Sequence, residues 1–185
     1  GQWYEFTTQR PHIDFLNAKT YDIHGSWSSK AGQNTPLYQS PPGDPDGSVE
    51  TGINYLVNSR GIPNGKLNMG IPFWGKKYNA SQINGSFNGS VVDMHYSEIL
   101  PLINNGWDYQ WDNNAKCPYL VKTNQSQIIT YDNPLSIQRK SEFAKDRNLG
   151  GVMVWALGYD AINSSESLTE AINPPWLSTE EGHMI

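Results

Sequence analysis

The apolar positions of this chain gather into three short blocks separated by long polar stretches. The first lies within His12-Ile-Asp-Phe-Leu-Asn-Ala-Lys-Thr-Tyr-Asp22 and predicts a strand over Ile13 to Tyr21 that ends at Asp22. The second, Lys66-Leu-Asn-Met-Gly-Ile-Pro-Phe73, finishes in a nearly continuous apolar tail. Such a tail is expected of a strand buried on both faces, as in a parallel sheet covered by helices. The third, Leu149-Gly-Gly-Val-Met-Val-Trp-Ala-Leu157, has the same character and predicts a third buried strand.

Helical spacing appears between these blocks. Ile53, Leu56 and Val57 fall at i, i+3 and i+4, which predicts a helix from near Ser48 to about Ser59 with Gly61 placed to stop it. Pro134 to Arg147 is the best helix in the chain. Pro134 suits a first turn, Leu135, Ile137, Phe143 and Ala144 supply apolar contacts, and Lys145 and Arg147 suit the negative end of the helix dipole. Shorter helices are expected at Tyr96 to Asn104, before an Asn105-Gly106 turn, and at Ser165 to Ile172, before Pro174-Pro175. Gly25 to Gly47 is too rich in Gly, Pro, Ser and Asn for regular structure. Trp74 to Thr130 is expected to be the least regular stretch, with an aromatic cluster at Trp107, Tyr109 and Trp111, and Trp27, Trp107 and Trp111 are expected in loops.

The order strand, helix, strand, excursion, helix, strand, helix is that of repeated β/α units, so the fold class is α/β. A full eight-unit barrel typically needs about 250 residues, and this sequence supplies about three units. Its 185 residues, 37% of them apolar, are enough for one substantial core. Net charge is -5 with no lysine or arginine run, which argues against a nucleic-acid partner. No stretch approaches the roughly 18 apolar residues of a membrane span, and Gly1 to Glu5 does not read as a signal peptide. Cys117 stands alone and is expected as a buried thiol rather than a disulfide partner.

Asn-x-Ser sequons occur at Asn79, Asn84, Asn88, Asn124 and Asn163; three of them within ten residues mark an exposed loop or short strand. His12, His24, His95 and His183 lie in no recognised metal-ligand spacing, and Gly150-Gly151 precedes a strand rather than the helix that a phosphate loop requires. No metal and no cofactor is therefore expected.

Four segments in order carry a resemblance. They are Thr20-Tyr21-Asp22 with His24-Gly25-Ser26-Trp27, then Gly70-Ile71-Pro72-Phe73-Trp74-Gly75, then Tyr109-Gln110-Trp111-Asp112 through Ala115-Lys116-Cys117-Pro118-Tyr119, then Gly151-Val152-Met153-Val154-Trp155-Ala156. Together they resemble the glycoside hydrolase family 18 chitinases, in the half of the barrel after the catalytic strand. The resemblance implies that residues 1–177 form the C-terminal part of a TIM (β/α)8 barrel, about three β/α units, with an inserted irregular region over 74–130 after the second strand and a tail at 178–185. An open trio of parallel strands exposes unpaired edges and an apolar face, so another polypeptide is expected to complete the barrel.

The implied activity is retaining hydrolysis of β-1,4-linked N-acetylglucosamine polymers, in which the sugar's own acetamido oxygen attacks the anomeric carbon. The family's Asp-x-x-Asp-x-Asp-x-Glu signature, whose glutamate is the general acid, does not occur in these 185 residues. Asp44-Pro-Asp-Gly-Ser-Val-Glu50 imitates it poorly. Its spacing differs, Pro45 and Gly47 make it a turn, and Glu50 is better read as a first-turn acid. The acid is accordingly expected on the complementary chain.

By the resemblance, Tyr21 orients the acetamido group and Asp22 accepts a hydrogen bond from a sugar hydroxyl or a neighbouring side chain. Trp155 forms the floor on which a pyranose stacks. Trp74 occupies the rim, and Lys76, followed by Lys77, stands where the family usually has an arginine, without that residue's planar fork. Lys19 replaces a common methionine. Trp111 with Asp112, and Trp27, are further substrate-binding candidates. The implied partners are chitin or chito-oligosaccharide and the complementary polypeptide, and the implied location is secreted or extracellular. The alternative is a non-catalytic carbohydrate-binding remnant of the same barrel.

Overall fold

The structure, a computed structural model, describes residues 5–172. The chain opens with a short helix, α1 (Phe6–Gln9), and enters strand β1 (Leu16–Ala18). A long loop leads to α2 (Val49–Asn54), which continues as a wider turn over Tyr55–Ser59. The Ser48 side chain accepts from the Thr51 N–H and the Thr51 hydroxyl accepts from the Ser48 N–H, so donors left over at the start of α2 are satisfied locally. Strand β2 (Leu67–Pro72) follows, then β3 (Trp74–Asn79), β4 (Asn88–His95), the one-turn helix α3 (Tyr96–Ile99), β5 (Trp107–Asp112), β6 (Cys117–Lys122) and β7 (Ile128–Thr130). Helix α4 (Pro134–Asp146), strand β8 (Gly151–Trp155) and helix α5 (Leu168–Ile172) complete the described part.

Two sheets result. β1, β2 and β8 form a parallel sheet in the order β1-β2-β8, with Leu16 opposite Leu67 and Asn68 opposite Gly151. The other five strands form an antiparallel sheet in the order β4-β3-β7-β6-β5. One apolar core runs under both sheets: Leu67, Met69, Ile71 and Phe73 join Tyr96, Ile99, Leu120, Ile129 and Tyr131, with Ile137, Phe143 and Ala144 of α4 packed in. β2 is the most buried of the parallel strands, as its apolar tail predicted, whereas every residue of β8 is half-buried or exposed.

Several sequence expectations are corrected. The first strand spans only Leu16–Ala18, so Tyr21 and Asp22 lie in the loop beyond its end. The helix expected over Tyr96 to Asn104 stops at Ile99 and tightens into a single turn over Leu100–Leu102, where Pro101 cannot donate a backbone hydrogen bond. The span 74–130 is not irregular; it holds the whole antiparallel sheet, and Trp107 and Trp111 are strand residues of β5 rather than loop residues. The last helix starts at Leu168 instead of Ser165, because Ser164 to Ser167 form a turn capped by Asp160. Asp160 accepts from the Leu168 and Thr169 N–H groups and from the Ser167 and Thr169 hydroxyls. These bonds hold its pKa below the ordinary aspartate value although burial opposes the charge. Pro174-Pro175, His183 and the tail at 178–185 lie outside the described residues.

Candidate active-site groove

The C-terminal ends of the three parallel strands converge, and there the loops bring together residues that are far apart in sequence. The Thr20 hydroxyl donates to the Gly70 carbonyl at 2.7 Å, and the Asn34 side chain ties the loop to β3 by accepting from the Asp22 N–H at 3.2 Å and donating to the Trp74 carbonyl at 3.0 Å. Gly70 is required by this packing. A Cβ there would sit 2.4 Å from the Ala18 carbonyl oxygen and 2.9 Å from the Tyr21 ring. On the other side, the Phe73 N–H donates to the Trp155 carbonyl at 2.9 Å, which locks the end of β2 to the end of β8.

Tyr21 meets Trp74 edge to face, with ring centroids 5.0 Å apart. Lys19, Tyr21, Asp22, Trp74 and Trp155 line one cavity of about 300 Å³. Trp74 and Trp155 also line a neighbouring cavity of about 190 Å³ together with Asp93, His95 and Tyr159. The two cavities share both tryptophans and so form one groove. Trp155 is 58% exposed, which is unusual for a tryptophan on a strand and leaves its ring open to a ligand.

Charge in the groove is arranged in alternation. Lys76, 3% exposed, places its ammonium 2.9 Å from Asp22 and 2.8 Å from Asp93, and Lys19 lies 2.7 Å from the other Asp22 oxygen. Burial works against the Asp22 charge, but the hydrogen bonds from Lys19 and Lys76 outweigh it and leave the carboxyl pKa below its ordinary value. Burial raises the Tyr21 hydroxyl above the ordinary tyrosine range, Asp22 pushing it further up and Lys19 only partly reversing the shift. Tyr21 is therefore a protonated hydrogen-bond donor at neutral pH beside an ionised Asp22. The Trp74 indole N–H is buried without an acceptor among the described residues.

The sequence-predicted residues thus divide. Tyr21, Asp22, Trp74 and Trp155 come together in the groove, and Lys76 joins them as the cation between Asp22 and Asp93. Trp27, 63% exposed, sits at the side, its ring 5.6 Å from the Lys76 ammonium. Trp111 and Asp112 are not in the groove. The Asp112 carboxylate accepts from the Ser40 hydroxyl and from the Asn114 and Ala115 N–H groups, a turn-capping arrangement, and Trp111 lines a different cleft beside α4.

Asp93, His95 and Tyr159 were missed by the sequence. They reach the groove through register, because β4 pairs with β3 so that His95 is opposite Trp74 and Asp93 opposite Lys76. His95 then stacks on Tyr159 with centroids 3.7 Å apart and planes 11° from parallel.

His24, which lies in no recognised ligand spacing, is brought by the fold to Asp44 and Asp46, its Nε2 lying 3.1 Å and 3.6 Å from their carboxylates. Lys30 sits 3.1 Å from the same Asp44 oxygen, so the cluster carries its own balancing cation. Glu50 lies in the first turn of α2, as expected, and pairs with Arg147 at 3.0 Å. Burial pushes the Cys117 thiol up to about 12, which makes it an inert core group.

A parallel sheet flanked by helices, an antiparallel sheet beside it and an aromatic groove at the parallel strands' C-terminal ends define a mixed α/β fold. The chain belongs to the glycosyl hydrolases family 18, whose profile matches residues 1–160. The probable endochitinase of Caenorhabditis elegans is 32% identical over 177 residues, covering 87% of this chain and 28% of that protein. The Group IV chitinase of Ostrinia furnacalis, solved in complex with allosamidin, superposes with a TM-score of 0.79 at 28% identity, over 88% of this chain and 50% of that one. Human YKL-39, described as a pseudo-chitinase with retained chitooligosaccharide binding, superposes with a TM-score of 0.77 at 28% identity, over 85% of this chain and 47% of that one. The chain therefore spans under a third of the nematode relative and about half of each solved neighbour.

Proposed function

We propose that this chain supplies the substrate-binding wall of a chitinase-type site that hydrolyses β-1,4-linked N-acetylglucosamine polymers with retention, the sugar's acetamido oxygen acting as nucleophile. The observation that carries this reading is the convergence of Tyr21, Asp22, Trp74 and Trp155 on one cavity. A protonated Tyr21 hydroxyl suits donation to the acetamido oxygen, which would orient that oxygen towards the anomeric carbon. Asp22, held ionised by Lys19 and Lys76, suits an electrostatic partner for the cationic bicyclic intermediate. Trp155 offers a flat apolar face for the distorted pyranose, and the Trp74 indole N–H beside it is buried without an acceptor among the described residues.

The general acid is assigned to sequence outside these residues, on a complementary polypeptide carrying the earlier barrel strands. The open order β1-β2-β8, with a partly exposed β8 at one edge, supports that reading. A secreted, glycosylated protein is part of the same proposal. The sequon residues Asn79, Asn88, Asn124 and Asn163 are exposed, and among the described residues no helix is long and apolar enough to cross a membrane.

A second reading, carbohydrate binding without catalysis, is favoured by the likeness to YKL-39. Two measurements separate them. Native and denaturing mass should reveal a companion polypeptide of about 150 to 250 residues, the size of the rest of a barrel. Turnover of chito-oligosaccharides by that particle should be lost in Trp155→Ala with the fold preserved. Binding without turnover in the intact particle would leave the non-catalytic reading standing.

A further inference from the structure

The groove leaves Trp111 and Tyr38 without a function. Both line a second cleft of about 590 Å³, well within the ~300–1,000 Å³ range of small-ligand sites, and this cleft shares no residue with the groove. Trp111, on β5, forms one aromatic wall. Tyr38, 36% exposed, forms another and rests edge-on against Phe143 of α4, with centroids 6.3 Å apart. Asn113, Arg139 and Glu142 supply polar groups to the same cleft.

The chemistry of this lining selects its ligand. Arg139 is bonded to Glu142 at 3.0 Å, and Arg147, which also faces the cleft, is bonded to Glu50 at 3.0 Å and Asn54 at 2.9 Å. With both guanidiniums paired to carboxylates, and Asp146 in the same lining offsetting the charge of Lys116, an anion would gain little there. A purely apolar ligand would cover the amide and charged groups without satisfying them. A neutral, polyhydroxylated ring satisfies both demands, stacking on the flat aromatic faces and exchanging hydrogen bonds with the polar groups.

Tyr109 lies two residues from Trp111 on the same face of β5, about 6.8 Å along the strand, and is 40% exposed. It extends the aromatic row beyond the cleft, so a linear saccharide can lie over more than one ring. The geometry points to a second, non-catalytic saccharide-binding cleft built on Trp111 and Tyr38, which takes a short stretch of a β-linked N-acetylhexosamine chain outside the groove. The identity of that sugar rests on the proposed function.

Calorimetric titration of the native particle with the N-acetylglucosamine tetramer tests this directly. Two classes of site are expected in the unaltered protein. Trp155→Ala should remove one class, and adding Trp111→Ala should weaken the remaining class roughly tenfold, with a comparable drop in retention on insoluble chitin. Tyr38→Ala should reproduce that drop, and it serves as the independent variant if Trp111→Ala lowers the melting temperature. A residual class that neither change alters overturns the proposal, as does the absence of any residual binding in Trp155→Ala. Tighter binding of a sulfated oligosaccharide than of the neutral tetramer overturns it too. Binding that is sensitive to Trp111→Ala but indifferent to Trp155→Ala would count against the groove and leave this cleft standing, so the two readings fail separately.

Discussion

The two sheets solve the same burial problem in opposite ways. The parallel sheet gathers three strands from sequence positions 16, 67 and 151, whereas the antiparallel sheet is drawn from one continuous span, 74–130. Distant strands bring their C-terminal loops to a common point, and that convergence is what places Tyr21, Trp74 and Trp155 side by side. The contiguous sheet cannot do this. It instead sends β3 and β4 up against the convergence point, so Lys76 and Asp93 enter from the side. The parallel sheet thus sets where the groove is and brings Lys19 and Asp22 on the β1 loop, and the antiparallel sheet adds Lys76 and Asp93 to that charge.

The largest test of this division is whether the sheets are energetically separate. Ile71 on β2 and Leu120 on β6 are both fully buried in the same core. Ile71→Ala and Leu120→Ala should each cost about 2–5 kcal/mol and lower one common urea transition. Two resolved transitions, each sensitive to only one of the changes, would break the comparison.

Lys76→Met comes next. It strips the cation that links the β1 loop to β4 and should cost about 1–3 kcal/mol in urea unfolding. Because the folded-state pKa of Asp22 lies below the ordinary carboxylate value, its contribution to stability is fully present above that value and is lost as pH falls through the folded one. The acid limb of the stability profile should therefore flatten in Lys76→Met; an unchanged limb would place the acid sensitivity elsewhere, with Asp160 the next carboxylate to test.

Trp155→Ala should remove the groove's class of chito-oligosaccharide binding and leave the melting temperature nearly unchanged, since the ring is mostly exposed. A marked loss of stability would make Trp155 a packing residue. The smallest effect is expected at Val92 on β4, 43% exposed, where Val92→Ala should stay within about 0.5 kcal/mol by the same unfolding measurement.

The contrast also explains what the sequence made legible. β2 is buried on both faces, and its run of apolar residues announced it; Gly151 to Trp155 was equally plain. β4, from Asn88 to His95, has no buried residue, and β5 buries only Trp107, so neither carries a continuous apolar signal. Those polar edges leave the span without the apolar runs that mark strands in sequence. Asn84-Gly85 is the turn signal before β4, and Val92 and Met94 alternate with Asp93 and His95 in the manner of a half-exposed strand. The groove residues that sit in the resemblance's own segments, Tyr21, Asp22, Trp74 and Trp155, could be named in advance. Asp93, His95 and Tyr159 depend on a pairing register between β3 and β4 and on a stacking contact across the groove, and neither is written in local spacing. Trp111 shows the converse: its motif is visible in the sequence, but the cleft it lines, apart from the groove, is not.

Phe73 is the only residue between the last position of β2 and the first of β3. With Phe73 alone at this seam, a graft that swapped the antiparallel sheet for that of a relative would transplant Trp74 and Lys76 with it and so replace two residues of the groove region at the same time. Shuffling experiments on this protein would therefore have to cut after Lys76, inside a paired strand, to vary one without the other.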